Sequence, residues 1–439
     1  MLQRYINVDF SKSAGRIKPL LALNSGPLAT ASLSVDLSQI LTAAGVAFIR
    51  THGHPAERVV DIHTVFPDFN LDERFEQSYN FAPTDKYLRA IKDMGAGIML
   101  RLGESPEPYE IKRHAALPAS PEKWAAVCER IIAHYNEGWG GGMKLGIKQV
   151  EIVLGCDFVP DEGERVKLYE LYRTVANRLR SRFPRIKIGG YSSGGFHSLN
   201  HYDATDEERG YVEFLEGFLS YVTNRETEAP LDFFTWSCHA ETPEELSLHS
   251  NYARNFLNQN GLKRTQSVIS DFSIAPSAAL YTDRAYPALL ISSLILAQKG
   301  DTAMLFLDGN PESDGCPLFS LEDRHSVHTY AAYKALCAFG VLSRLGTAVP
   351  CTEDYRHAIY SLAATDGTEG AVIVATDAYN GGIEISVEGR EFSTYSISGI
   401  IGGGKRGDGF TTSARDVPLT DGRVRLRAGK NELYLITLK

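Results

Sequence analysis

Gln149-Val150-Glu151-Ile152-Val153-Leu154-Gly155-Cys156-Asp157 opens as a short, largely apolar, β-branched run and closes on a glycine, a thiol and a carboxylate. A run of this length and character fits a strand buried on both faces, as in a parallel sheet. Working outward, similar runs precede it at Lys18–Leu23, Val46–Thr51 and Gly97–Gly103. Others follow at Lys187–Ser192, Phe233–His239, Gln266–Phe272 and Thr302–Asp308.

The stretches between the runs read as amphipathic helices. Thr84–Met94 places Tyr87, Leu88, Ile91 and Met94 on one face. Pro121–Tyr135 follows Ser120, an N-cap serine with proline at the first helical position. Glu164–Phe183, Tyr211–Val222, Pro243–Asn258, Pro287–Ala297 and His328–Phe339 behave alike. Eight strands alternating with helices predict a (β/α)8 TIM barrel over residues 18–344. A doubly wound open sheet would want a glycine-rich dinucleotide turn after the first strand, and none is there.

After Leu345 the pattern changes to short strands separated by Gly, Asp and Asn turns. These are Ala358–Leu362, Gly370–Ala375, Gly382–Val387, Thr394–Ile400, Arg423–Leu426 and Glu432–Leu438. Residues 345–439 are therefore expected to form an antiparallel β-sandwich accessory domain. Residues 1–17 contain the alternating Arg4–Asp9, expected to join that sandwich as an N-terminal strand.

Composition limits the functional classes. The 439 residues are 43% hydrophobic and 23% charged, an ordinary globular balance, with a formal charge of −9. That acidity argues against a nucleic-acid partner, which would favour a basic stripe. No apolar stretch approaches the roughly 20 residues of a membrane span, so no membrane partner is expected. The start Met1-Leu2-Gln3-Arg4-Tyr5-Ile6 lacks the features of a secretory leader. Cys128, Cys156, Cys238, Cys316, Cys337 and Cys351 are scattered, without a C-x-x-C pair. Together these fit reduced thiols and a cytoplasmic protein. Oligomeric state is left open.

In a parallel barrel the chemistry sits where strands end. The ends of the runs supply Asn24; Arg50, His52 and His54; Arg101 and Glu104; and Cys156 and Asp157. They continue with Tyr191 and Ser192, then Cys238 and His239, Asp271, and Asp308. A polar ring of this kind over an apolar barrel is expected to line a pocket.

Several stretches, taken in order, carry a resemblance. They are Ile49-Arg50-Thr51-His52, the run Ile62-His63-Thr64-Val65-Phe66-Pro67-Asp68-Phe69, and Tyr79-Asn80-Phe81. Next come Glu122-Lys123-Trp124, His134-Tyr135-Asn136-Glu137-Gly138-Trp139 and Lys187-Ile188-Gly189-Gly190-Tyr191. Leu231-Asp232-Phe233-Phe234-Thr235-Trp236, Tyr333-Lys334-Ala335 and Leu345-Gly346-Thr347 complete the set. In this order and spacing the chain resembles glycoside hydrolase family 39, the β-xylosidases and α-L-iduronidases, nearly end to end.

The resemblance implies a barrel with an attached sandwich, a carbohydrate substrate and a retaining double displacement; no cofactor and no metal are expected. It also implies an acid/base glutamate in a Trp-Asn-Glu-Pro motif after the fourth strand. That motif falls on Val153-Leu154-Gly155-Cys156, leaving the acid/base position vacant at Gly155. The nucleophile motif Asn-Glu-Trp falls on Ser270-Asp271-Phe272, and the Trp-His motif on Trp236-Ser237, with His239 two places on. All three active-site signatures depart from the family pattern.

A retaining glycosidase sets its two carboxyl groups about 5–5.5 Å apart, and an inverting one about 6.5–9.5 Å. Asp271 keeps the charge on a shorter side chain, and a wider gap would suit inversion with Asp271 activating water. Loss of a general acid costs on the order of 10²–10⁴-fold. Asp157 could supply the acid, though a solvated loop aspartate is its plainer reading. Cys156 reads as a structural thiol rather than a nucleophile.

Asp271 and Asp157 are thus the candidate catalytic residues. Arg50, His52, His54, Glu104, Tyr191, Trp236, His239 and Asp308 are the candidate substrate contacts. The leading expectation is a glycosidase with non-standard carboxylates, and the alternative is a sugar-binding protein without turnover. His52-Gly53-His54 with His239 and Asp308 resembles a metal-dependent amidohydrolase barrel, but the His-x-His pair follows the second run rather than the first. Gly399–Lys405 has phosphate-loop spacing, yet Arg406 replaces the required Ser or Thr, and it reads as a glycine-rich turn.

Overall fold

The computed structural model describes residues 3–30, 32–53, 55–104, 117–154, 157–274, 285–312, 316, 318–322, 326–354, 358–401 and 410–439. The eight barrel strands are β1 (Ala22–Leu23), β2 (Phe48–Arg50), β3 (Gly97–Leu102), β4 (Gln149–Val153), β5 (Lys187–Ser193), β6 (Phe233–Ala240), β7 (Gln266–Ile274) and β8 (Thr302–Leu307). They close in sequence order, each parallel to the next, with β8 returning to β1. The fold is the expected TIM barrel with an accessory β-domain.

The helices that follow each strand are α1 (Ser38–Ala44), α2 (Ala82–Asp93), α3 (Pro121–Asn136), α4 (Glu162–Arg182), α5 (Asp206–Thr223), α6 (Pro243–Gln259), α7 (Ala285–Lys299) and α8 (Ala331–Leu345). Side-chain oxygens of Ser120, Asp161, Thr205 and Thr242 cap the N-termini of α3 to α6. Each satisfies a backbone N–H that the first helical turn leaves unpaired.

Inside the barrel the floor is apolar. Ala22, Met99, Phe233, Val268, Met304 and Phe306 form one buried cluster, with Phe48 beside it. Alternate residues, such as Ile49, Ile98, Leu100, Val150 and Ile152, join the layer between barrel and helices. This period-two division explains why the runs read as continuously apolar.

The β-domain has a four-stranded sheet ordered 351–353, 3–9, 381–388, 423–428. Its six-stranded sheet runs 347–349, 359–365, 370–376, 432–438, 394–400, 411–418. Ile6, Val8, Ile383, Ile385 and Val424 of the first meet Val372, Val374, Ile436 and Leu438 of the second in one core. On the other face of the six-stranded sheet, Leu362, Ile373, Ala375, Leu433 and Leu435 join the barrel's outer core. A sheet buried on both faces holds the accessory domain against α7 and α8. Gly399 and Ile400 end the strand Thr394–Ile400, and the rest of the Gly399–Lys405 turn lies largely outside the described residues.

Candidate active site

Above the apolar floor lies a buried ion pair. Arg50, at the end of β2, is 1% exposed and Glu151, mid-way along β4, is 0% exposed. Arg50 Nε donates to Glu151 Oε2 at 2.7 Å and Nη2 to Oε1 at 3.2 Å, a two-pronged pair. Nη1 donates to Asn24 Oδ1 at 3.1 Å and to the Ser270 carbonyl at 3.3 Å, and Nη2 to Ser192 Oγ at 3.0 Å. The guanidinium therefore links β1, β2, β4, β5 and β7 across the barrel. Its donors are committed to protein, so Arg50 supports the mouth from below rather than contacting a ligand there.

Asp271 owes its direction to a bulge. Val268 points to the barrel interior and Ile269 outward. Strict alternation would make Ser270 inward and Asp271 outward. Instead the β7–β6 register shifts between Ile269 and Asp271, so Asp271 pairs with Ser237 and Phe272 with Cys238. Phe272 and Cys238 both lie in the outer core. The neighbours Asp271 and Ser237 consequently face the mouth, as bulged strands beside active sites often re-aim a side chain. Asp271 is partly exposed, and no described residue offers its carboxylate a hydrogen bond or ion pair.

His52 stands just beyond Arg50. Its backbone N–H reaches the Asn24 carbonyl at 3.2 Å, while its buried Nδ1 has no hydrogen-bond partner among the described residues. Burial, then the charges of Arg101 and Arg50, hold its pKa well below the ordinary imidazole value. His52 is thus neutral. Arg101 shares its register level with Glu151. His239, exposed at the end of β6, lies 2.8 Å from Ser273 Oγ through Nδ1.

Glu104 follows β3, with Oε2 3.9 Å from His63 Nε2. Together with Phe69, Leu117 and Trp124 these two line a side cavity of about 340 Å³. Asp308 follows β8 and accepts the Asn310 N–H at 2.8 Å, a local turn.

Besides Arg50, two expected contacts are corrected. Trp236 is 0% exposed, because its parity on β6 turns it outward from the barrel. There Nε1 donates to Ser267 Oγ at 2.9 Å and the ring meets Phe196 edge-on at 5.2 Å. Tyr191 is 2% exposed, packed against Phe214 and Phe218 of α5. Neither ring has a face open to a sugar.

Asp157 is not a solvated loop residue. It is 7% exposed, and its Oδ2 accepts the Gly194 N–H at 2.7 Å. Burial pushes its pKa up to about 6, against the opposing hydrogen bonds from Gly194 and Ser193. These partners all belong to β5 and the segment after it; none is shared with Asp271. That segment is drawn close to β6, since Gly195 has φ +105° and an added Cβ would sit 2.2 Å from the Ser237 carbonyl. His54, Gly155 and Cys156 lie outside the described residues.

The sequence reading missed Glu151. Its signal is a lone carboxylate at an inward position of an otherwise apolar strand, where only a buried partner makes the charge tolerable.

No protein-family model matches the sequence, and no curated protein matches it. Solved structures do. A glucosidase from Croceicoccus marinus superposes with a TM-score of 0.78 at 19% identity, over 100% of this chain and 99% of that one. A monomeric β-xylosidase from Caulobacter crescentus gives 0.70 at 13% identity, over 99% of each chain. A xyloglucanase of glycoside hydrolase family 44 from Paenibacillus polymyxa gives 0.62 at 11% identity, over 100% of each. The chain thus has, from end to end, the barrel-and-β-domain fold of these glycoside hydrolases.

Proposed function

We propose that this chain binds a glycoside in the barrel mouth and cleaves its O-glycosidic bond, with Asp271 as the carboxylate at the sugar carbon. The observation that carries this reading is the bulge before Asp271, which turns a carboxylate without a partner among the described residues toward the mouth near the end of the seventh strand. His52 adds a second group open to a ligand, a buried neutral imidazole nitrogen without a hydrogen bond among the described residues. Glu104, His239 and Asp308 are the remaining candidates for sugar hydroxyls, with His54 a further candidate outside the described residues.

In this reading Asp271 either attacks the anomeric carbon or takes a proton from the water that does. The leaving oxygen must also gain a proton. Asp157, with a pKa near 6, has the acidity for that step but is tied to Gly194. Turnover therefore favours substrates whose leaving group departs without help, such as nitrophenyl glycosides.

The bond between Asp157 and Gly194 also supports a second reading, a sugar-binding protein without turnover. Hydrolysis of a panel of aryl glycosides and calorimetric sugar binding, measured for wild type and Asp271→Asn, separate the two. Loss of hydrolysis with retained binding is expected, because charge at the reacting carbon acts chiefly in the transition state. Undiminished hydrolysis in the variant would remove Asp271 from the mechanism. Binding without hydrolysis in the wild type would select the second reading.

A further inference from the structure

Beside the mouth, between β5 and α5, the chain runs His197-Ser198-Leu199-Asn200-His201-Tyr202-Asp203. Its first residues form a 3-10 turn, and the His201 N–H closes back on the His197 carbonyl at 3.1 Å. A four-residue spacing on a helical turn sets both imidazoles on one side. Folding also brings in Asp203. One ring nitrogen of each histidine and one carboxylate oxygen of Asp203 lie within 4.8 Å of one another.

The surroundings are built to orient these groups. His201 Nε2 lies 2.6 Å from Glu245 Oε1. Glu245, on α6, is itself 7% exposed and fixed by Asn200 Nδ2 at 3.0 Å and the Glu241 N–H at 2.7 Å. A carboxylate that accepts one ring N–H leaves the other nitrogen with its lone pair free. This is the arrangement by which proteins set a ligating histidine. His197 repeats it more loosely, with Nε2 3.7 Å from Glu208 Oε1. Glu208 is held in turn by the Thr205 capping box.

We propose that His197, His201 and Asp203 form a binding site for a divalent transition-metal cation of the zinc type. Two imidazoles and a carboxylate are a borderline donor set suited to zinc. Asp203, Glu208 and Glu245 surround the two rings with negative charge. The rings now stack with centroids 3.8 Å apart and planes 11° from parallel. Binding requires them to turn until both lone pairs aim at one point. Zinc bonds of about 2.0–2.1 Å would draw tetrahedral donors to about 3.3 Å from one another. His197 and His201 keep 33% and 20% of their side-chain surface exposed, which leaves room for that turn and for water as a further ligand. A bound cation would brace the β5–α5 segment, which carries Asp157's partner Gly194 and is already tied to Glu245 on α6 through His201. The site shares no residue with the proposed glycosidase machinery, so either reading can fail alone.

The test uses the full chain, stripped of metal by chelator and titrated with zinc chloride in a calorimeter. Cobalt chloride provides a visible-absorption signature of nitrogen ligation. The expected result is one zinc per chain, with Asp203→Asn and His197→Asn each binding at least about tenfold more weakly. Both residues lie outside the core, so folding of the variants is checked by circular dichroism. His201→Asn adds a third measurement if it folds despite losing the contact to Glu245. No zinc uptake by the wild type, or uptake of wild-type affinity in both Asp203→Asn and His197→Asn, would overturn the proposal.

Discussion

Replacing Glu151 by leucine is expected to destabilise the chain far more than its size change suggests. The substitution removes the carboxylate that accepts two hydrogen bonds from Arg50, at 2.7 and 3.2 Å. What remains is a guanidinium that is 1% exposed and bonded, among the described residues, to Asn24, Ser192 and the Ser270 carbonyl. Breaking a buried pair by removing one partner costs about 3–5 kcal/mol, because an uncompensated charge stays behind. Against a net stability on the order of 5–15 kcal/mol, that is a large fraction.

Arg50→Met should cost a similar amount by stranding Glu151. The double variant Arg50→Met/Glu151→Leu removes both charges and restores apolar volume. It is left chiefly with the acceptors of Asn24, Ser192 and Ser270 underused, about 1–3 kcal/mol for a buried unsatisfied group. The two single costs therefore should not add. A coupling energy of at least about 2 kcal/mol is expected from the cycle. Urea unfolding of the four proteins, followed by tryptophan fluorescence, measures it. Single costs below about 1 kcal/mol, or singles that sum to the double within about 0.5 kcal/mol, would refute the reasoning.

Asp157→Asn is expected to stabilise the protein at neutral pH. Burial raises the folded pKa from 3.8 to about 6, so folding favours the protonated acid. The wild type should lose stability as pH rises from about 4 to 6, by up to about 3 kcal/mol, and the variant should lack that fall. Thermal melts across this range check it, and parallel pH profiles would count against a buried acid. Trp236→Phe should cost about 1 kcal/mol through the lost bond to Ser267 and leave sugar affinity unchanged. A large loss of affinity with intact stability would put Trp236 back in the site. Ile373→Ala, where the six-stranded sheet packs on the barrel's outer core, should cost about 2–5 kcal/mol and destabilise barrel and β-domain in one transition. Separate transitions by calorimetry would show the two to be independent.

The barrel was legible because each strand is buried on both faces and each helix on one, so both periods are written in the chain. Where other forces act, the boundaries moved. The first run was expected to begin at Lys18, but β1 is Ala22–Leu23. Pro19 has no N–H for the ladder and restricts Lys18, whose own N–H turns to the Gln298 side chain. Helix α5 begins at Asp206 rather than Tyr211, since its first turn is made by an acidic capping box and not by apolar residues. Helix α8 begins at Ala331 rather than His328, because Val327–Thr329 pairs with Phe319–Leu321. The strand Thr411–Pro418 gave no signal. It is a largely exposed edge strand with no buried face to impose alternation.

The site was legible only in part, and the reason is geometric. Position at a strand end follows from a one-dimensional reading, but the direction of a side chain depends on parity and bulges. Trp236 and Tyr191 end their runs and still point into the outer core, with Phe196, Phe214 and Phe218 filling the space beside them. Asp271 points into the mouth only because the strand slips at Ser270, a shift no residue pattern announces. Arg50 was placed correctly at a strand end, yet its role depends on Glu151, 101 positions away. Such a pair is constrained as a unit, since a change in either partner strands a buried charge. Asp271 carries no comparable constraint from described partners, so its replacement should cost the fold little, and its direction rests on the bulge alone.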